Sequence, residues 1–147
     1  MQKTRAGRWV ALALAGAITL TGCSGTANDA RDAGAAEVTA FGQSLDAAQF
    51  ADLAAGEGVV VLDVRTPEEF AAGHLEGAIN LDVSDAGFAG QVAELDPDAT
   101  YALYCRSGNR SQAAMGLIQG AGIDSLADLA GGIQAWTQSG GAVVTGS

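Results

Sequence analysis

Two short runs, VVVLDV at 59–64 and YALYC at 101–105, are dominated by β-branched, aromatic and other apolar residues with little polar alternation. A strand with one wet face alternates apolar and polar side chains, so runs of this kind are expected to be buried on both faces, as in a parallel sheet covered by helices. Helical patterns lie between and around them. DAAQFADLAAG (46–56) opens with a capping residue, places Phe50, Leu53 and Ala54 on one face and stops at glycine. Similar reasoning predicts helices near 67–72, 85–95, 109–121 and 132–138, with AIN (78–80) and SLADL (125–129) as weaker strands. Strand and helix in alternation imply an α/β domain with a mainly parallel sheet and helices on both faces. The 147 residues, 48% of them apolar, suffice for one such domain and not two.

The first 22 residues read differently. A basic start, MQKTRAGR, precedes an apolar run of 12 residues and the small-residue stretch LTGC. That run is too short for a permanent membrane helix of about 20 residues and has the layout of an export signal. LTGC resembles the lipobox of bacterial lipoproteins, which implies cleavage before Cys23 and acylation of that cysteine. The other reading is an ordinary secretory signal cut elsewhere. Residues 23–37 are small, polar and aperiodic, as expected of a tether, and the domain is placed at 38–147. The arrangement implies a protein held by lipid on the outer face of the cytoplasmic membrane, or on an outer membrane where one exists.

Loss of Lys3, Arg5 and Arg8 with the signal would take the net charge from −10 to −13. Such a surface repels nucleic acid and anionic lipid, which argues against nucleic acid as a partner. Two of the four remaining arginines lie within CRSGNR, residues 105–110. If Cys23 is lipidated, Cys105 is the only thiol, with no partner for a disulfide. One usable cysteine and one histidine fall short of a zinc ligand set, and no metal or other cofactor is expected.

Cys105 ends the run YALYC, and the chain then turns through Arg106, Ser107, Gly108 and Asn109 into the helical pattern starting near Arg110. Ligands in parallel α/β sheets bind beyond the carboxyl ends of the strands, where Cys105 falls. Gly108 permits dihedrals that aim successive N–H groups at one centre, and the following helix presents its positive end. With Arg106 and Arg110, these groups are expected to hold Cys105 as thiolate, the nucleophilic form.

Three stretches in order, LDVRTPEEFAAGHLEGAINL (62–81), YCRSGNRSQAA (104–114) and LAGGIQAW (129–136), resemble the signatures of the rhodanese-like sulfurtransferase domain. The resemblance covers essentially the whole of 38–144. It implies a five-stranded, mainly parallel sheet and a six-residue active loop from Cys105 to Arg110. It also implies a ping-pong reaction in which Cys105 takes sulfane sulfur from thiosulfate or a similar anionic donor, sulfite leaves, and the persulfide passes its sulfur to a thiol or cyanide. Loop amides would stabilise developing charge, and Arg106 and Arg110 would orient the donor. Ser107, Asn109 and Ser111 would either hydrogen-bond there or shape the loop.

Asp63 and Arg65 lie on one strand face; Arg65 is expected to pair with Glu68 or Glu69, and Asp63 to brace the active loop. His74 is expected to shape a turn, and Trp136 with the preceding AGG to pack and turn. Two other functions compete. One is a non-enzymatic partner-binding or redox-sensing module on the same scaffold. The other is a phosphatase or arsenate reductase, disfavoured because four residues, not five, separate Cys105 from Arg110.

Overall fold

The computed structural model describes residues 42–146. The signal-like segment, Cys23 and the tether lie outside the described residues. Five strands form one sheet: β1 (Ser44–Leu45), β2 (Val59–Asp63), β3 (Ile79–Asn80), β4 (Thr100–Tyr104) and β5 (Leu126–Leu129). Their order is β1-β5-β4-β2-β3 and every pairing is parallel. The helices are α1 (Ala47–Ala54), α2 (Pro67–Ala72), α3 (Phe88–Val92), α4 (Asn109–Gly120) and α5 (Gly132–Gln138).

Both faces of the central strands are covered, as the unbroken apolar runs require. Along β4 and the residue after it, Tyr101, Leu103 and Cys105 pack with Ala114, Met115 and Ile118 of α4, while Ala102 and Tyr104 pack on the other face with Phe50 and Leu53 of α1. The pleat therefore assigns Cys105 to the α4 side. Asp63, one residue from Val64 and Leu62 of that face, points with Arg65 to the opposite side.

Helix starts follow side-chain chemistry. Asp46 accepts from the N–H groups of Ala48 and Gln49 while Gln49 Oε1 accepts from Asp46 N–H, a reciprocal capping box. Thr66 and Glu69 do the same for α2, with Pro67 at its first position. One expectation differs from the structure, and one element was not expected. The helix expected over 85–95 is only Phe88–Val92, because Asp82 and Asp85 accept from the N–H groups of Ser84 and Gly87 and spend the preceding residues on turns. Strand β1 carries no periodic signal in its two residues; it exists because the edge of β5 accepts it.

Candidate active site

Strand β4 carries Cys105 to the carboxyl end of the sheet, where it is a free thiol in a residue only 1% exposed. Gly108, at φ 99°, turns the chain left-handed directly before α4. Its N–H donates to Cys105 Sγ at 3.1 Å. Burial pushes the thiol pKa up, but the backbone N–H groups of Ser111, Ser107 and Gly108 outweigh it and bring the pKa below its ordinary value. That hydroxyl lies 3.7 Å from Sγ.

The loop carbonyls are held from behind. Ile133 N–H donates to Cys105 O at 2.8 Å and Gln134 N–H to Arg106 O at 3.3 Å. This contact is possible only because Gly132, at φ 59°, has no side chain: a Cβ there would stand 2.4 Å from Cys105 O. With carbonyls tied to the start of α5, the N–H side of the loop is left facing the sulfur. The pair Gly131–Gly132 was expected only to turn and pack; a double glycine directly before a helical pattern is the signal that a neighbouring backbone comes close.

The two loop arginines differ from each other. Arg110 is engaged in a bidentate ion pair with Glu69, at 2.6 and 2.9 Å, so part of its charge is already answered. Arg106 is exposed, and its side chain has no ion pair among the described residues. The lowered pKa of Cys105 is therefore owed mainly to backbone amides, which are fixed by the fold and carry no rotamer entropy.

Arg65 pairs with Asp63, not with Glu68 or Glu69. Its guanidinium grips both carboxylate oxygens and donates to Gly73 O at 2.7 Å, with Asp63 wholly buried. Neither side chain hydrogen-bonds the 105–110 loop. The physical reason is the pleat: both residues face away from Cys105, and the pair braces the turn after α2, beside Tyr104, whose pKa is raised by burial first and by the Asp63 charge second. Asn80 Nδ2 ties in Asp63 O and Arg65 O. His74 stacks on Phe70 with ring centroids 3.7 Å apart, shares a hydrogen bond with Phe70 O and bridges to Val144 through the backbone, so it serves the turn. Trp136 meets Phe50 edge-on and donates Nε1–H to Ala142 O.

Asp128 was not anticipated. It is fully buried in β5 and accepts hydrogen bonds from Ser44 and, at 2.8 Å, from Ser111. A carboxylate inside an otherwise apolar strand, SLADL, is the sequence signal that could have found it. An open cavity of about 230 Å³, lined by Arg65, Glu69, Gln134 and Thr137 among others, lies beside the loop without including Cys105.

A parallel α/β sheet, a cysteine of lowered pKa beyond the end of a central strand, and a six-residue loop with amides turned to its sulfur are the features of cysteine enzymes that carry a transferred group on sulfur. A rhodanese-like domain profile matches residues 46–139. The chain belongs to the rhodanese-like family of sulfurtransferases. Thiosulfate sulfurtransferase GlpE of Pseudomonas entomophila is 38% identical over 80 residues, 54% of this chain and 72% of that protein. The probable adenylyltransferase/sulfurtransferase MoeZ of Mycobacterium tuberculosis is 32% identical over 117 residues, 79% of this chain but 28% of that protein. Among solved structures, a rhodanese-related protein from Thermoplasma volcanium superposes with a TM-score of 0.62 at 34% identity, over 69% of this chain and 97% of that one.

Proposed function

We propose that this protein moves sulfane sulfur from thiosulfate or a similar anionic donor to a thiophilic acceptor through a Cys105 persulfide, and does so outside the cytoplasm while anchored to a membrane through lipid on Cys23. The observation that carries the chemistry is the amide ring on Cys105, with Gly108 N–H 3.1 Å from the sulfur. The thiolate attacks the outer sulfur of the donor, an S–S bond forms, the donor's own sulfur bond breaks and sulfite leaves with the electron pair. The loop N–H groups stabilise the charge carried by the resulting persulfide. Arg106, exposed at the loop, draws in the anionic donor, and Arg110 orients it from its seat on Glu69. An acceptor, cyanide or a thiol, then takes the outer sulfur and returns the electron pair to Cys105.

Incubating the purified domain with thiosulfate tests the chemistry: Cys105 should gain about 32 mass units, one sulfur atom, and turnover with cyanide should vanish in Cys105→Ser. No sulfur uptake from any sulfane donor would end the proposal. The anchor rests on the basic start, apolar run and LTGC in that order. Intact mass of the protein recovered from membranes should show acyl chains on Cys23; Cys23→Ser should release it into the soluble fraction, and an unmodified Cys23 would refute the anchor.

A further inference from the structure

Asp128 is a fully buried carboxylate that forms no ion pair among the described residues and that the sulfur-transfer scheme leaves unused. Its oxygens accept from Ser44 Oγ of β1 and Ser111 Oγ of α4. The Ser111 hydroxyl has a single proton and three acceptors within reach: Asp128 Oδ2 at 2.8 Å, Gly108 O at 2.9 Å and Cys105 Sγ at 3.7 Å. A carboxylate makes the strongest of these bonds and here also the shortest, so it takes the proton and the sulfur meets an oxygen lone pair instead.

We propose that Asp128 is a positioning residue that holds the Ser111 hydroxyl proton away from Cys105, so that the sulfur is ionised by backbone amides alone and keeps its strength as a nucleophile. The inference rests on the sulfurtransferase reading for its consequence but not for its geometry. A more stabilised thiolate attacks a donor more slowly and leaves an acceptor's attack more easily. Asp128 thus favours loading of sulfur over its release.

The other charges around the sulfur, Arg106, Arg110 with Glu69, and Asp63 with Arg65, are the same in every variant needed to test this. In Asp128→Asn the acceptors left to the hydroxyl are the neutral oxygens of Gly108 and the amide and the charged thiolate, which takes the proton as the strongest of them, so the midpoint of iodoacetamide alkylation against pH should fall by about one pH unit, the worth of one hydrogen bond to a charged group. At a pH where Cys105 is fully ionised, loading from thiosulfate should slow and release to cyanide should quicken, opposite changes that loosened packing would not produce. Ser111→Ala, which removes the hydroxyl and asks nothing of Asp128's fold, should leave the alkylation midpoint where it is in the parent. A midpoint raised in Ser111→Ala, or unmoved or raised in a folded Asp128→Asn, overturns the proposal. In the double variant the fall should disappear; a full fall there would mean the carboxylate acts by its charge and not through Ser111, and overturns it as well. If alkylation behaves as expected while no donor loads sulfur, the positioning stands and the sulfurtransferase reading fails.

Discussion

Gly132 touches the backbone of Cys105: the position its Cβ would occupy is 2.4 Å from the Cys105 carbonyl oxygen, and the neighbouring Ile133 N–H binds that same oxygen at 2.8 Å. The reactive loop is therefore shaped as much by α5 as by its own residues. Gly132→Ala should push the loop out, because both the left-handed backbone and the clash oppose a side chain. Overpacking alone predicts a loss of about 1–3 kcal/mol in urea unfolding. The alkylation midpoint of Cys105 should rise toward that of an ordinary thiol, and sulfur uptake should fall with it. A variant as reactive and stable as the parent would show that the amide ring does not depend on this contact.

Cys105 has its pKa lowered in the fold, with burial opposing and the amides of Ser111, Ser107 and Gly108 prevailing. A depressed acid contributes stability that is fully present above its unfolded value, about 8.5 for a thiol, and that is lost as pH falls through the folded value. Donor loading should rise with pH through that same folded value and then level off. Stopped-flow loading from pH 5 to 10 measures it; a midpoint at or above 8.5 would contradict the amide-stabilised thiolate.

Glu69 has its carboxyl pKa lowered, first by its hydrogen bonds with Arg110 against a smaller desolvation penalty. Its contribution to stability is present above the ordinary carboxylate range and lost on acidification through the folded value. Because the pair is about one-third exposed, that contribution is under about 1 kcal/mol. Glu69→Gln should thus barely change the unfolding midpoint at pH 7. It should lower the KM for thiosulfate and steepen its salt dependence, since Arg110 is released toward the anion. Unchanged KM and salt slope would place Arg110 outside donor binding.

Asp63→Ala should cost about 3–5 kcal/mol, because it strands the buried Arg65 guanidinium without a counter-charge. Equilibrium unfolding in urea measures this. In the folded fraction the Cys105 alkylation midpoint should stay where it is, since the pair makes no hydrogen bond to the loop. A midpoint that moves with Asp63 would restore the role as a brace that the strand pattern first suggested.

The local sequence of this chain determined most of its elements and the place of Cys105 at a strand end. Unbroken apolar runs mark strands covered on both sides, Asp46 and Thr66 announce their helices, and Cys105 before a glycine turn marks the strand end where an anion can be held. These properties depend on residues within a few positions of each other, and a linear pattern records them. Which groups answer one another across the fold was decided only by the tertiary structure. The order β1-β5-β4-β2-β3 sets side by side strands that are far apart along the chain. It brings Asp128 to Ser44 and Ser111, Glu69 to Arg110 and Gly132 to Cys105, and the pleat turns Asp63 and Arg65 away from the loop. A buried charge or hydroxyl binds whichever partner the folded backbone sets within about 3 Å, and that distance is a property of packed layers, not of spacing along a chain.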